Sequence, residues 1–314
     1  MTSGTRSVSL LSRRTVLGSA IASVGLSAVP ERLRAGFSTA SIVVAIAFDG
    51  DSLLVAALDL SRSDDGGQTW EKLPAPEGGA ILSLATHTDR PRRIFAGLAS
   101  GGVALSEDGG RTWRAGGSGL PSGAVRALAV AAVLPDTIYA AVNGDGLWKS
   151  ENAGQSWAFV MDRPWLVEAE RDLLALASVK LATGMGGIWI YAGTGTGLTR
   201  VPDCFCRWQE VQAGDAMDAL ASGTALPPEA PLPAGEAIRA LVSAPSAPEI
   251  LYAALPSGVW SSRNAGVVWS QLLPGNATAL AVHPVRSSQV IASIDDSLNQ
   301  SRDSGTNWSA LAVI

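Results

Sequence analysis

Six stretches of this 314-residue chain close on a tryptophan in the same way, and they restrict its fold more than any other feature. Two are complete, Ser63–Trp70 (SDDGGQTW) and Ser106–Trp113 (SEDGGRTW), both of the form S-x-D-x-G-x-T-W. Three are altered copies: Ser150–Trp157 carries Asn152 in place of the acid, Ser262–Trp269 carries Asn264, and Ser301–Trp308 keeps Asp303 but has Asn307 for threonine. A sixth, Val201–Trp208, keeps only Asp203 and Trp208. Successive tryptophans are 43, 44, 51, 61 and 39 residues apart. A period of this length marks one supersecondary unit repeated and stacked on its neighbours.

Each position has a physical use. The short carboxylate or amide of Asp65, Asp108, Asn152, Asn264 or Asp303 can accept backbone N–H bonds from the turn that follows. Glycine at the fifth place (Gly67, Gly110) supplies a positive φ without steric cost. Ser63, Ser106, Thr69 and Thr112 can satisfy other turn groups, and the tryptophan opens the next strand. Ahead of each hairpin lie three apolar runs. The first are Ile42–Phe48, Ile81–Ala85, Val125–Val130, Leu173–Ser178, Ile238–Ser243 and Thr278–His283. In four units the second carries an aromatic followed by small residues, at Phe95, Tyr139, Tyr191 and Tyr252. Four short strands per unit, six units and glycine-rich turns predict an all-β, six-bladed β-propeller of four-stranded antiparallel blades over residues 41–314. Ring closure rests either on packing alone or on an edge strand from residues 30–40.

The hairpin resembles the Asp-box, or BNR, repeat of sialidases, sortilin-type receptors, xyloglucan hydrolases and photosystem II assembly-factor propellers. The resemblance implies a propeller with its Asp boxes at the blade periphery, away from any active site. It also makes sialidase chemistry testable by inspection. Sialidases use a tyrosine nucleophile, an acid/base aspartate and three substrate-holding arginines; here Tyr139, Tyr191 and Tyr252 all occupy the Phe95 position, which leaves no free tyrosine.

Residues 1–29 read as an export signal. Ser12-Arg13-Arg14-Thr15-Val16-Leu17 resembles the twin-arginine consensus, and an apolar run to Val29 follows, interrupted by Gly18, Ser19, Gly25 and Ser27. The alternative is an N-terminal helix of the fold. Residues 30–40 are a linker, and no other segment is apolar enough to span a bilayer. The formal charge is −5 with only three lysines, which argues against a nucleic-acid partner. Export would place the domain beyond the bacterial inner membrane, as a monomer.

Cys204 and Cys206, the only cysteines, are two apart; on a strand they would point to opposite faces, so they read as a small surface pair or a locally closed turn rather than a mutual disulfide. His87 and His283 fall in other repeats, so no metal set and no cofactor is expected. The acidic turns Asp49-Gly50-Asp51 and Asn143-Gly144-Asp145 lack the remaining oxygens of a calcium loop.

Two long connections interrupt the regularity, Met161–Asp172 and an Ala/Pro-rich insert over 213–236. Both join a fourth strand to the next first strand, which puts them on the face opposite the hairpins. Nine of the ten tryptophans hold repeat positions; Trp165 does not. With Arg163, Glu168, Glu170 and Arg171 around it, Trp165 is the candidate partner-binding aromatic. Arg126 and Arg239 share one position at the start of inner strands, a candidate anion clamp. The carboxylates Asp59, Asp145, Asp162, Glu168, Glu170, Asp295 and Asp296 lie on the same face and are the pool for a two-carboxylate glycosidase. The reading reached is an exported, non-catalytic binding or assembly module for a protein or carbohydrate partner, like the assembly-factor propellers; the alternative is a small glycoside hydrolase.

Overall fold

The computed structural model describes residues 42–164, 172–183, 186–211 and 230–311. The chain divides into Met1–Leu33 and Arg34–Ile314, and every described residue belongs to the second unit. The signal-like segment, the 30–40 linker, Trp165, Glu168, Glu170 and Arg171 lie outside the described residues, as does most of the 213–236 insert.

Twenty-four strands form six sheets, each of four consecutive strands in the order of the chain and each antiparallel throughout. These are the blades of a six-bladed β-propeller. Their innermost strands are Ala45–Asp49, Ile81–Thr86, Val125–Ala131, Ala175–Val179, Ala240–Ala244 and Ala277–Val282. A second strand is covered on both faces by neighbouring blades, so it reads as a continuous apolar run rather than an alternating one. Accordingly Phe95, Tyr139, Tyr191 and Tyr252 are all fully buried. Each contributes roughly 1.5–3 kcal/mol through burial of an apolar side chain.

The repeated hairpin links the third strand of each blade to the fourth. In the first, the Ser63 hydroxyl accepts the Gly67 N–H at 2.8 Å and donates to Asp65. The Asp65 carboxylate accepts the N–H groups of Gln68 and Thr69 and the Thr69 hydroxyl. Burial opposes its charge, but those donors outweigh it and bring the carboxyl down to about 2. The Asp108 turn repeats every one of these bonds, and Asp303, held by Asn307 and Ser301, also titrates near 2. Where the acid is Asn152 or Asn264, the amide oxygen still accepts the later N–H. That is why the motif survives the loss of its charge.

Glycine at the fifth place serves two ends. Gly67, Gly110, Gly266 and Gly305 all have φ between 88° and 91°. A Cβ there would also strike the preceding blade: Leu311 for Gly67, Leu73 for Gly110, Val211 for Gly266 and Leu272 for Gly305. The hairpin is thus the clasp by which each blade grips the fourth strand of the one before. Between blades 2 and 3 the grip is made by backbone instead. Gly117 N–H donates to the Gly154 carbonyl at 2.7 Å, and Trp157 N–H donates to the Ser118 carbonyl. The buried aromatics press on the same place; the Tyr191 hydroxyl donates to the Ala265 carbonyl in the hairpin of blade 5.

Among the described residues blades 6 and 1 meet through packing and side-chain bonds without an exchanged strand, and residues 30–40, the other source of closure, lie outside them. Leu311 of blade 6 meets Gly67 of blade 1, so the closing joint repeats the ordinary clasp. Val43, Ile46, Phe48, Val55 and Trp70 of blade 1 share one core with Ala279, Ala281 and Ile291 of blade 6. The Asp49-Gly50-Asp51 turn, read above as a plain turn, fastens blade 1 in both directions. Asp49 accepts the Arg92 N–H of blade 2 and pairs with the largely buried Arg62 at 2.9 Å. Asp51 pairs with Arg286 at 2.7 Å and with the His283 ring at 3.0 Å, both in blade 6.

The cysteine expectation is corrected. Cys204 and Cys206 form a disulfide, with Cα atoms 5.5 Å apart. The chain is turning there rather than running as a strand: Phe205 between them has φ of 53°, which brings both side chains to one side. This fourth hairpin lacks the serine and the glycine of the pattern, with Val201 and Phe205 in their places. The Asp203 N–H donates to the Ile188 carbonyl, where the third-position N–H of the other copies donates to the box serine.

Candidate functional site

Each inner strand has two ends, and they differ in chemistry. Its N-terminal end shares a face with the second-to-third-strand turns and the joins between blades, where the long connections lie. Arg126, exposed near the start of the blade 3 inner strand, donates through Nε to the Asn143 side chain at 3.1 Å. Arg239, beside the blade 5 inner strand, donates to the Asn276 side chain at 2.5 Å and to the Ala277 carbonyl. Each guanidinium is therefore held by an amide oxygen and keeps further N–H donors. The two stand at the same end of the ring but in separate blades, with blade 4 between them.

Arg163 and Asp172 flank the connection that carries Trp165, and their side chains meet at 3.0 Å. This ion pair closes the neck of the connection. The same Asp172 oxygen accepts the Gly144 N–H at 2.9 Å, beside the Asn143 that holds Arg126. On the next turn residue, Asp145 accepts the Trp148 indole N–H at 2.8 Å. The Trp208 indole N–H donates to the Asp162 carbonyl at 2.7 Å. The structure thus brings Arg126 and Arg163 into one hydrogen-bonded network at the root of the loop, while Arg239 belongs elsewhere.

Three of the glycosidase-type carboxylates, Asp59, Asp145 and Asp295, carry structural bonds, while Glu168 and Glu170 lie outside the described residues. Asp59 pairs with Lys72 at 2.6 Å, and Asp295 accepts the Asn276 N–H. Asp295 and Asp296 have φ of 47° and 60°, the conformation of a tight hairpin turn. Outside that pool, the carboxylates that the fold shifts move down, held by hydrogen bonds and cations: Asp51, Asp64, Asp65, Asp108, Asp136, Glu151 and Asp303. Tyr139 moves the other way, raised first by burial, as a structural phenol does. Among the described residues no set of three His, Cys, Asp or Glu side chains could hold a metal ion.

At the opposite end the six inner strands enclose a central cavity of about 200 Å³. Sequence reasoning missed it, because its two nitrogen-bearing side chains, His87 and Lys180, lie in separate blades and only the ring brings their strands to one cavity.

No family model matches the chain, and no curated protein matches it. Solved structures do. A xyloglucanase of glycoside hydrolase family 74 from Xanthomonas campestris is 19% identical, with a TM-score of 0.52, over 84% of this chain and 45% of its own. This chain thus spans less than half the length of that enzyme. YCF48 bound to a D1 peptide is 16% identical, with a TM-score of 0.51, over 88% of this chain and 84% of its own. A nidogen/laminin complex is 10% identical, with a TM-score of 0.51, over 71% and 76%. At these identities the likeness is one of architecture, and what it establishes is that this chain is a six-bladed β-propeller.

Proposed function

We propose that this protein is an exported, non-catalytic β-propeller whose loop end, at blades 3 and 4, binds a protein or carbohydrate partner. The observation that carries the reading is the anchored loop: the Arg163–Asp172 pair at its neck, tied through Gly144 and Asn143 to Arg126. A connection held at both ends costs less ordering entropy on binding than a free one, and the sequence of this one carries Trp165. Propellers of the same architecture have been solved with a D1 peptide and in a nidogen/laminin complex, which favours a protein among the two partner classes. Resemblance to the assembly-factor group points the same way.

Capture from a cell-envelope fraction, run beside a glycan array and a panel of aryl glycosides, tests the reading. Trp165→Ala is expected to weaken capture about tenfold or more, as loss of a central aromatic anchor does. Arg163→Ala should weaken it less and leave folding stability within about 1 kcal/mol, since a partly exposed ion pair contributes little. Turnover of a glycoside that disappears with one loop-end carboxylate would make the protein an enzyme and overturn the proposal.

Export is tested separately. Replacing Arg13 and Arg14 together by lysine keeps the charge but removes the paired guanidinium signature. The double variant is expected to accumulate inside the cell. Its undiminished appearance outside the inner membrane would sink the twin-arginine route.

A further inference from the structure

The central cavity is built as an apolar well with two cationic or donor groups at one end. One large side chain from each blade forms the wall: Phe48, Leu84, Leu128, Leu176, Leu241 and Val282. Of its hydroxyls, Thr86 donates to the Phe48 carbonyl, Ser243 donates to the Pro248 carbonyl and Ser178 accepts the Ala132 N–H. The net-acidic chain places no aspartate or glutamate in the lining. The nitrogen-bearing side chains of the lining are Lys180 and His87.

Lys180 follows the blade 4 inner strand, is exposed, and pairs with no carboxylate among the described residues. His87 follows the blade 2 inner strand. Its Nδ1 accepts the Asp89 N–H at 3.1 Å, while the Asp89 carboxylate stays 4.0 Å away from that nitrogen. An accepting Nδ1 leaves the ring proton on Nε2. That N–H has no acceptor among the described residues.

The molecule itself shows what such a nitrogen takes. His283 holds the equivalent position in blade 6, and its Nδ1 likewise accepts the backbone N–H two residues on, at 3.1 Å. Its Nε2 meets a carboxylate, Asp51, at 3.0 Å. Blade 2 repeats the histidine and its backbone bond but supplies no carboxylate, and there the histidine lines the cavity. The geometry points to a small aliphatic monocarboxylate as the missing partner, its carboxylate shared by His87 Nε2–H and the Lys180 ammonium and its tail in the apolar well. A cavity of roughly 150 Å³ holds a benzene ring. One of about 200 Å³ suits an acid of about six carbons. This site lies at the opposite end of the ring from the loop, and it stands or falls independently of the function proposed above.

The test is titration calorimetry of the full chain with sodium hexanoate, using hexanamide as the uncharged isostere. Saturable binding at one site per chain is expected, with the amide about tenfold weaker or worse, because charge-assisted bonds are lost. His87→Asn places an amide oxygen where Nδ1 accepts the Asp89 N–H and removes the Nε2 donor; affinity should fall about tenfold with the melting temperature kept. His87→Gln restores a donor near the Nε2 position and should recover most of the binding. Lys180→Met should weaken hexanoate severalfold and abolish its dependence on salt. Equal binding of acid and amide, absence of saturation, or unchanged affinity in both His87→Asn and Lys180→Met would each overturn the assignment.

Discussion

Replacing Gly117 by alanine is expected to cost about 3–5 kcal/mol of stability, the size reached when a change cannot be relieved by side-chain motion. The added Cβ would stand 1.5 Å from the Gln155 carbonyl oxygen and 2.2 Å from its carbon, both backbone atoms of the next blade. At the other clasps the clashing group is a leucine or valine side chain, which can turn aside. Here the chain of blade 2 lies directly on the hairpin of blade 3, bonded by Gly117 N–H and bridged from Ser118 to Ser156. Making room means parting two blades. The denaturation midpoint measures the loss, and Gly197→Ala is the control: it has open space and should stay within about 0.5 kcal/mol. A Gly117→Ala protein as stable as the control would show that the two backbones do not touch.

The seam between blades 6 and 1 is expected to weaken in mild acid. The His283 side chain is 2% exposed, stacks at 5.0 Å on Phe48 and accepts two backbone N–H bonds, from Val285 and Arg286, on Nδ1. Burial lowers its pKa below the ordinary 6.5; the Asp51 bond works against this and the nearby Arg286 charge assists it. The native state therefore prefers the neutral ring, whereas the unfolded chain takes up a proton near 6.5. Stability from this residue is fully present above that pH and is lost as pH falls towards the folded value. One proton limits the slope to about 1.4 kcal/mol per pH unit. In His283→Asn, whose amide oxygen can still accept those N–H bonds, the slope between pH 7 and 5 should flatten. An unchanged slope would assign the acid sensitivity to another group.

Most of the architecture was legible because the hairpin repeats in register. Ser63, Asp65, Gly67 and Trp70 each carry a local requirement, and a local requirement leaves a mark in every copy. The inner strands were located to within a few residues for the same reason. The cysteines were misjudged because the alternation argument assumed a strand, and residue 205 in fact takes a left-handed turn. The clasp partners Leu73, Val211, Leu272 and Leu311 were invisible as partners, since an apolar residue on a fourth strand looks alike whatever it touches. The cavity was hidden more deeply. Lys180 and His87 line one cavity only because six strands converge, and convergence is a property of the ring rather than of any one repeat. At the loop end, Arg163 was singled out as a candidate partner contact, but its ion-pair partner Asp172 was seen only as the end of a segment.

Each sheet takes all four of its strands from consecutive chain, and the closing joint is built like the other joints. The unit that is copied in the gene is therefore the unit that hydrogen-bonds in the protein. In a ring closed by a shared strand, a duplicated or deleted repeat leaves one blade half-made. Among the described residues, a whole unit could be added or removed without any strand changing its partner.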